Sequence, residues 1–373
     1  MKSCTQNTRP KVLEVLYSFG FGGSEIVGIQ LAKELAESGV EVLCAAIDSA
    51  PGPLQEKCAE YGIETVDLNI PSNFLERNGV SSAVTRRLRS LRLDAIHLHH
   101  FLGLNRLGLP ARLAGIKRVV VTEHSVLDVS QSLAGRMRAR VNWRLASAIT
   151  VIHQSIKDYL CEELGMSRDR VKVIPIGLEL DQYDRSHRAA CRAALGFGSQ
   201  PTLVFVGRLA PVKNVPGLIA AFLAVQSRHS ADARLIIVGD GEDRDACQSL
   251  VGSHDYGARV TLVGAQIDPR PYLAAADVFV LNSRSEGTPR ALLEAMAMGL
   301  PGICPAVGGI PDVLKGRGWL TAPGDQASLQ ASIEFVLDHP DVISALSEPC
   351  RQYVKSNYDS KRITARYREL LVR

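Results

Sequence analysis

A strand-to-helix turn near residue 285 limits the folds open to this chain more than any other stretch. Residues 278–281, Val-Phe-Val-Leu, form a short apolar run of the kind that makes a buried strand of a parallel sheet. A polar loop follows, and Thr288 then precedes Pro289. A capping hydroxyl, proline at the first helical position and a run of helix formers closed by Gly299 together predict a helix. The stretch therefore predicts a β-loop-α unit of an α/β domain with a parallel sheet.

Two glutamates, Glu286 and Glu294, lie on either side of this predicted helix start. A helix N-terminus carries free N–H groups and partial positive charge, which suits an anion such as phosphate. Carboxylates in the same place would repel that anion, but they can accept hydrogen bonds from sugar hydroxyls beside it. The pair therefore predicts a sugar-phosphate site. The alternative is that both glutamates are solvated surface residues.

The same β-loop-α pattern opens the chain. Residues 11–16 predict a strand, residues 18–23 form a glycine-rich turn, and a helix is expected from about residue 24 to 38. At Gly22 and Gly23 the backbone can approach a ligand closely, although a tight turn with no ligand would need the same residues. The glycine spacing differs from G-x-G-x-x-G, so a nicotinamide cofactor is not expected.

Histidines end two further predicted strands. His97, His99 and His100 close the strand that starts at residue 95, and His124 follows the strand that starts at residue 119. Strand ends of such a sheet border the crevice where ligands bind. We expect no metal site, because carboxylates and cysteines do not cluster with these histidines at metal-ligand spacings. His97 and His99 project to one face and His100 to the other, so at least one is expected to be purely structural.

A second pair of charged residues follows a strand at residues 203–206. Arg208 and Lys213 lie in one loop, five residues apart. Arginine offers a fork of donors and lysine a point charge, a combination suited to a diphosphate. The alternative is two exposed surface cations.

Length and composition predict two globular domains. The chain has 373 residues, 46% of them apolar and 22% charged, with a net charge of +4. We place the domain boundary near residues 178 to 198, where the chain turns polar before a new βα series. No apolar run approaches the roughly 20 residues of a membrane span, and residues 1–10 lack a signal-peptide core, so a cytoplasmic location is expected. Eight cysteines without a C-x-x-C pair predict reduced thiols and no zinc site.

Two arginine clusters are candidates for contact with an anionic membrane at the inner face of the plasma membrane. An ordinary solvated helix face is the alternative reading of each. The clusters are Arg86, Arg87, Arg89 and Arg92, and Arg136, Arg138, Arg140 and Arg144.

Four motifs in the second half carry a family resemblance. They are G-R-L-x-x-x-K from Gly207, V-G-D-G from Val238, E-G-T-P-R-A-L-L-E-A-M-A-M-G-L-P from Glu286 and V-G-G-I-P from Val307. Their order and spacing resemble the C-terminal half of glycosyltransferase family 4. The segments F-G-G-S-E, D-A-I-H-L-H-H and T-E-H match its N-terminal half more loosely, so the resemblance covers nearly the whole chain.

The resemblance implies an α/β fold with two doubly wound Rossmann-like domains facing a central cleft, known as GT-B. Residues 1–180 would form the N-terminal, acceptor-side domain. Residues 181–355 would form the C-terminal, nucleotide-sugar-binding domain. Residues 356–373 would form a terminal helix that crosses back to the N-terminal domain.

The resemblance also implies roles for individual residues. Arg208 and Lys213 would hold the donor diphosphate, Glu286 would contact the hydroxyls of the transferred sugar, and His124 would touch the donor sugar. Four groups of donor-binding positions would complete the site: Glu294 at the ribose; Gly287, Thr288, Pro289 and Arg290 at the phosphates; Gly22 and Gly23 under the diphosphate or acceptor; Gly264 and Ile267 beside the base.

The implied reaction is transfer of a sugar from a nucleoside-diphosphate sugar, with a UDP-sugar favoured, to a hydroxyl of a glycan or lipid-linked acceptor, with retained configuration. The setting would be bacterial cell-surface polysaccharide or glycolipid synthesis, with exopolysaccharide assembly the nearest subgroup. No carboxylate pair is placed as acid and nucleophile, which disfavours hydrolysis. Protein cations would make a metal unnecessary, and neither another cofactor nor a nucleic-acid partner is expected. A non-hydrolysing UDP-sugar epimerase of the same fold and a non-catalytic nucleotide-sugar-binding subunit are the alternatives.

Three departures from the family pattern bring acceptor-side and hinge details into question. Asn214 replaces a glycine that often follows the lysine, and His153 stands where serine is common. Residues 176–179 read I-G-L-E in place of N-G-V-D.

Overall fold

The computed structural model describes residues 9–20, 22–48, 50–70, 81–125, 137 and 141–372. The chain divides into two compact units. The first unit comprises Met1–Gly177 with Ser360–Arg373, and the second comprises Leu178–Asp359. The C-terminal helix therefore belongs to the first unit.

The first unit is built on a parallel sheet of seven strands, in the order β3-β2-β1-β4-β5-β6-β7. Its strands are β1 Lys11–Leu16, β2 Glu41–Ala46, β3 Glu64–Thr65, β4 Ala95–His99, β5 Arg118–Glu123, β6 Ala148–Val151 and β7 Val171–Val173. The strand interiors are almost wholly apolar, as expected for a parallel sheet covered by helices on both faces.

The second unit repeats this plan with six parallel strands, in the order β10-β9-β8-β11-β12-β13. The strands are β8 Thr202–Val206, β9 Arg234–Val238, β10 Val260–Gly264, β11 Val278–Val280, β12 Gly302–Pro305 and β13 Gly318–Thr321. Each unit is thus a doubly wound α/β sheet, which confirms the predicted fold class.

Helices connect and cover the strands. They are α1 Gly23–Glu37, α2 Pro53–Glu60, α3 Ser82–Ser90, α4 Phe101–Leu113, α5 Gln154–Glu162, α6 Arg188–Ala194, α7 Val215–Gln226, α8 Arg244–Ser253, α9 Arg270–Ala275, α10 Arg290–Ala297, α11 Ile310–Leu314, α12 Gln326–Asp338, α13 Pro340–Asn357 and α14 Ser360–Val372. In the described part of the chain, short 3-10 helices occupy Trp143–Leu145, Leu180–Gln182 and Gly257–Arg259.

The strand order determines where ligands can bind. In each sheet the chain reverses its direction of winding between the first strand and the fourth, that is, between β1 and β4 and between β8 and β11. The loops that leave these two strands turn away to opposite sides and open a crevice at the carboxyl ends of the strands. The loops after β1, β4, β8 and β11 are therefore the structural candidates for binding.

The segment between the last strand of the first sheet and β8 is held to the second unit by arginines. Arg188 and Arg192 each donate from Nη1 to the carbonyl of Ala275, at 2.9 Å and 2.8 Å. Arg188 also pairs with Asp277 at 2.6 Å. These contacts fasten α6 to the turn between α9 and β11.

Two of the three family departures have a local explanation. Asn214 has φ of +49°, a left-handed conformation that glycine adopts freely and that asparagine tolerates better than most residues. His153 caps α5, because its Nδ1 accepts from the Ser155 N–H at 3.1 Å. Both residues therefore suit the backbone at their positions, Asn214 by its tolerance of the left-handed region and His153 by capping the helix.

Further sequence expectations concern cysteines and the membrane. Seven cysteines are free thiols, and Cys4 lies outside the described residues. Arg136, Arg138 and Arg140 of the second arginine cluster also lie outside them. Within the part of the chain that the structure describes, no helix is both long and apolar enough to cross a membrane.

Candidate functional site

The winding reversal of the second unit brings together two residues that are 73 positions apart in the chain. Lys213, in the loop after β8, lies with its Nζ 2.6 Å from Oε1 of Glu286, in the loop after β11. Ser283 donates its hydroxyl to the same oxygen at 2.7 Å. The Glu286 side chain is only 7% exposed and that of Lys213 is 23% exposed. The result is a sheltered ion pair at the carboxyl edge of the sheet.

Backbone contacts hold the two loops together. The Arg284 N–H donates to the carbonyl of Val212 at 2.7 Å. Gly308, before α11, lies so close that a Cβ there would be 1.8 Å from the carbonyl oxygen of Glu286. The position of Glu286 is thus determined by backbone from three different connections.

Glu294 anchors a second cluster on α10. Its Oε1 accepts from Arg290 Nε at 2.8 Å and from the Tyr183 hydroxyl at 3.0 Å. Burial, reinforced by the charge of Glu294, raises the pKa of Tyr183, which therefore stays a hydroxyl donor. Burial lowers the pKa of the Arg290 guanidinium, but Glu294 and Tyr183 together outweigh it, so the pKa is raised. Tyr183 is a member of this cluster that the sequence motifs did not indicate.

The predicted start of α10 was wrong in detail. Pro289 is the N-cap residue, with an extended backbone at ψ of 116°, and the helix begins at Arg290. Thr288 makes no side-chain cap, and its buried Oγ1 has no partner among the described residues. A buried hydroxyl normally has a hydrogen-bond partner. Thr288 Oγ1 is therefore a polar group beside Glu286 that a ligand could satisfy.

Three predicted residues of this unit make no side-chain contact with the ion pair among the described residues. Arg208 follows β8, is exposed, and has no side-chain partner among the described residues. Gly264 ends β10 with φ of +86°, and Ile267 lies just beyond it with 83% of its surface exposed. They occupy the same carboxyl edge as Lys213, but β10 is the edge strand of the sheet.

In the first unit a carboxylate that the sequence analysis did not consider joins the histidines. Glu14 of β1 is in register with His97 of β4 and is fully buried. Its Oε2 lies 3.0 Å from His99 Nε2 and 2.8 Å from His97 Nδ1. Burial raises the pKa of Glu14, but His97 and His99 outweigh it and lower the value to about 2. Glu14 is therefore a buried anion.

The sequence analysis expected no carboxylate to lie with these histidines, and the position of Glu14 shows that this expectation was wrong. One potential ligand atom from each of Glu14, His97 and His99 lies within 4.8 Å of the others. The separations to Glu14 are those of hydrogen bonds. Ligand bonds of about 2.0–2.2 Å around a zinc ion would spread the same atoms further apart. Of the two contacts with Glu14, the one from His99 Nε2 is a hydrogen bond, whereas His97 Nδ1 approaches the carboxylate without hydrogen-bond geometry.

His124 extends the network toward the carboxyl end of β5. His99 Nδ1 lies 3.0 Å from His124 Nε2, and the two rings stack with centroids 5.2 Å apart. Glu123 fixes the neighbouring backbone, since its carboxylate accepts from the N–H groups of His124 at 2.9 Å and Phe101 at 2.8 Å. His100 bonds to the same carboxylate at 3.1 Å and so has a structural role.

Gly22 and Gly23 form the start of α1 in the loop after β1. A Cβ at Gly22 would lie 2.1 Å from Glu25 Oε2, whereas one at Gly23 would meet no atom within 4 Å. Gly22 therefore makes room for a glutamate of the first helical turn, and Gly23 is open on its side-chain side.

The structure thus groups the predicted residues by unit. Lys213 is joined to Glu286, and Arg290 to Glu294, in the second unit. His124 joins a histidine network in the first unit, and Glu14 and Glu123 are the residues that sequence reasoning missed there. The sequence did contain an indication of Glu14, because it is the one acidic residue inside the apolar strand at residues 11–16.

Comparison with known protein families agrees with this geometry. A family model described as Glycosyltransferase Family 4 matches residues 21–182, and one described as Glycosyl transferases group 1 matches residues 200–339. Together they span most of both units, including every predicted site residue.

Relatives with assigned activities are also glycosyltransferases. N-acetyl-α-D-glucosaminyl L-malate synthase of Bacillus anthracis is 25% identical and is matched over 93% of this chain and 92% of its own. UDP-Gal:α-D-GlcNAc-diphosphoundecaprenol α-1,3-galactosyltransferase of Escherichia coli is 27% identical, with 76% of each chain covered. GDP-mannose-dependent α-(1-6)-phosphatidylinositol monomannoside mannosyltransferase of Mycolicibacterium smegmatis is 26% identical over 85% of this chain and 86% of its own.

Solved structures show the same fold. The crystal structure of Anabaena HepE in complex with UDP superposes with a TM-score of 0.83 at 22% identity, covering 97% of this chain and 99% of that one. Sucrose-phosphate synthase from Thermosynechococcus elongatus gives a TM-score of 0.79 at 24% identity, with 97% and 98% covered. With its two parallel-sheet units and the matching family models, the chain is a glycosyltransferase that has the GT-B fold and belongs to glycosyltransferase family 4.

Proposed function

We propose that this protein transfers a sugar from a nucleoside-diphosphate sugar to an acceptor hydroxyl with retention of anomeric configuration and without a metal. The observation that carries the proposal is the sheltered ion pair of Lys213 and Glu286 at the winding reversal of the second unit. Such a position is where α/β sheets bind phosphate-bearing ligands.

The ion pair supplies both charges that the reaction needs. An ammonium group has three donors, so Lys213 can keep its bond to Glu286 and still address a phosphate oxygen. Arg208, exposed in the same loop, adds a second cation for the departing diphosphate. Glu286 accepts hydrogen bonds and suits the hydroxyls of the sugar. Catalysis then rests on positioning and on stabilising the leaving group.

The remaining residues support assignments for the rest of the donor. Glu294, held by Arg290 and Tyr183, is suited to the hydroxyls of the ribose. The exposed side chain of Ile267 offers an apolar surface for the base. A UDP-sugar is favoured, in keeping with the UDP-galactose named for the Escherichia coli relative. GDP-mannose is the competing donor, because the mycobacterial relative is named for it.

Product analysis tests the reaction. The protein would be incubated with α-linked UDP-glucose, UDP-galactose, UDP-N-acetylglucosamine or GDP-mannose and a bacterial lipid extract as the source of acceptors. We expect release of UDP, with an α-linked product in the proton NMR spectrum. The rate should be unchanged when EDTA is added.

Three results would contradict this proposal in different ways. A β-linked product would exclude retention, and loss of turnover with EDTA would exclude a metal-free reaction. Conversion of a UDP-sugar to its epimer without any transfer would establish the epimerase instead.

We further propose that the acceptor is glycan- or lipid-linked, in bacterial cell-surface polysaccharide or glycolipid synthesis, and that the protein meets it at the inner face of the plasma membrane. One patch of the first unit supports membrane contact. Leu113 of α4 is a large apolar side chain that is exposed, and Arg89 of α3 donates to the Leu113 carbonyl at 2.6 Å. Exposed Arg86 lies on the same helix α3. Basic and apolar groups side by side suit anionic lipid.

Vesicle sedimentation tests this contact. Binding to vesicles containing phosphatidylglycerol should weaken when Arg86 and Arg89 are changed to glutamate. The control is Arg228→Glu, just after α7 in the second unit, which should bind as the wild type does. Equal binding by all three proteins would remove the basis for membrane contact.

A further inference from the structure

A continuous series of polar groups crosses the core of the first unit. Glu14 of β1 contacts His99 of β4 at 3.0 Å, and His99 contacts His124 after β5 at 3.0 Å. All three residues are nine-tenths or more buried. The series therefore connects a fully buried anion with a histidine at the carboxyl edge of the sheet, which is the edge where ligands bind in this fold.

The contact between Glu14 and His99 determines which ring nitrogen of His99 carries a proton. A carboxylate anion only accepts hydrogen bonds, so the ring nitrogen that faces it must carry the proton. Glu14 Oε2 faces His99 Nε2. His99 is therefore protonated at Nε2. Burial, aided by the neighbouring His97, lowers the pKa of His99 to about 4, so that its Nδ1 carries no second proton at neutral pH.

The proton position of His99 determines the donor and the acceptor in its contact with His124. His99 Nδ1, without a proton, can only accept, so His124 must donate from Nε2 across the 3.0 Å contact. Burial and the neighbouring histidines lower the pKa of His124 well below its usual value, which leaves this ring neutral too. Its remaining nitrogen, Nδ1, is then an acceptor. Among the residues that the structure describes, His124 is hydrogen-bonded through Nε2 and through its backbone N–H, and Nδ1 has no hydrogen-bond partner.

We propose that Glu14 and His99 are positioning residues that hold His124 as its neutral Nε2–H tautomer, so that His124 Nδ1 accepts a hydrogen bond from a hydroxyl of the transferred sugar. The identity of this hydroxyl rests on the proposed function, but the tautomer does not. A histidine of undetermined tautomer could accept or donate. The buried network removes that ambiguity before the substrate arrives.

The packing around the rings keeps the network in place. Gly28 of α1 lies against His99, where a Cβ would be 3.0 Å from Nε2. At the other end, His97 Nε2 is bonded to the Thr122 hydroxyl at 2.6 Å, and the Tyr367 ring of α14 lies 5.1 Å from the His97 ring. His99 and His124 also line a small cavity between α1 and α14, together with Ile363 and Tyr367, which has room for a water molecule.

Nitrogen NMR of the histidine side chains tests the tautomer without any substrate. In protein labelled with ¹⁵N-histidine at neutral pH, the His124 signals, assigned by their loss in His124→Gln, should show a proton on Nε2 and none on Nδ1. A proton on Nδ1, or an even mixture of the two tautomers, would overturn the proposal.

The variant Glu14→Gln tests the origin of the tautomer. The amide is expected to turn its NH₂ group toward the histidines, because the opposite orientation would bury two unsatisfied N–H donors. His99 Nε2 then becomes an acceptor, and the protons of both His99 and His124 move to Nδ1. An unchanged His124 tautomer in folded Glu14→Gln would overturn the role of Glu14.

Two further variants keep the test decisive if Glu14→Gln does not fold. His99→Ala removes the acceptor of His124, so His124 should populate both tautomers. The exposed control His187→Gln should leave the spectrum of His124 unchanged.

Turnover of the UDP-sugar tests the contact with the sugar hydroxyl. His124→Gln should lower kcat/KM by about tenfold, which corresponds to the loss of one hydrogen bond. A correct tautomer with wild-type turnover in His124→Gln would overturn the sugar-hydroxyl assignment and leave the proposed transfer reaction intact.

Discussion

At the scale of single residues, the position of Glu286 depends on a glycine 22 positions further along the chain. Gly308 has φ of +55°, in the left-handed region, and a Cβ there would lie 1.8 Å from the Glu286 carbonyl oxygen. A side chain in that conformation costs about 1–2 kcal/mol. The overlap is with backbone, so rotating a side chain cannot relieve it. The loop that carries Glu286 would have to move.

Gly308→Ala should therefore impair both stability and turnover. We expect the free energy of unfolding to fall by at least about 2 kcal/mol, the sum of left-handed strain and forced loop movement. Donor turnover should fall as well, because Glu286 is displaced. Urea denaturation and release of UDP measure the two effects.

Gly316→Ala is the matched control. Gly316 has φ of +70°, but a Cβ there would meet no atom within 4 Å. This variant should show only the conformational strain and keep its turnover. Equal losses of turnover in the two variants would disprove the role assigned to Gly308.

The residues that sequence reasoning missed share a physical cause. The importance of Glu14 depends on its register with His97, 83 residues away, and strand pairing is not written in local sequence. The cap assigned to Thr288 was wrong because Pro289 has an extended backbone that starts the helix one residue later. By contrast, the spacing of Arg290 and Glu294 on one helix face was readable, since residues four apart on a helix are neighbours.

At the scale of elements, strands β1, β4 and β5 carry ionisable groups into the core of the first unit. Burial and the neighbouring His97 lower the pKa of His99 from 6.5 to about 4. In the unfolded chain His99 would take up a proton near pH 6.5, whereas in the folded protein it does not. The unfolded state therefore binds more protons between pH 6.5 and 4, and stability rises with pH in that window.

Acidification should therefore lower the free energy of unfolding of the first unit before its carboxylates become protonated. His99 alone accounts for a loss of about 3 kcal/mol as the pH falls from 6.5 to 4, and the lowered pKa of His124 acts in the same direction. The lowered pKa of Glu14 adds a further loss only below pH 4.5, as the pH falls toward about 2. Hydrogen exchange of peptides from β4 and β5, measured from pH 7 to pH 5, reports the effect.

Variants separate this effect from general acid destabilisation. His99→Gln should flatten the pH dependence between 6.5 and 4.5, whereas His187→Gln on the surface should not change it. A wild-type protein whose β4 and β5 exchange is equally protected at pH 7 and pH 5, after correction for intrinsic rates, would refute the expectation.

Elements with strong apolar patterns were the most predictable. The strand expected at residues 11–16 is β1 itself, and the helix expected from about residue 24 to 38 is α1 within one residue at each end. Helix α6 was not anticipated, because its seven residues have no apolar face and depend on arginine contacts with the carbonyls of residues 274–276. Such an element is specified by its tertiary partners.

At the scale of the whole molecule, the same winding order occurs twice. In both units the first and fourth strands are neighbours, so loops far apart in sequence meet at the carboxyl edge of the sheet. This arrangement brings Lys213 within 2.6 Å of Glu286. The fold class could be predicted because alternating strands and helices with short loops leave few other solutions. The ion pair could not be derived from local sequence, since it depends on the order of strands.

The central claim is that sugar transfer takes place at the site of Lys213 and Glu286. It is tested most directly by comparing turnover of the UDP-sugar in one lysine variant and one arginine variant. Lys213→Met removes the cation that pairs with Glu286, and Arg228→Met removes a cation of the same unit that pairs with Glu334 at 2.7 Å on the surface. We expect kcat to fall about 10²- to 10³-fold for Lys213→Met, as for loss of a group that stabilises developing charge. Arg228→Met should stay within about twofold of the wild type, because surface ion pairs contribute little. Equal turnover by the two variants would contradict the assignment of sugar transfer to this site.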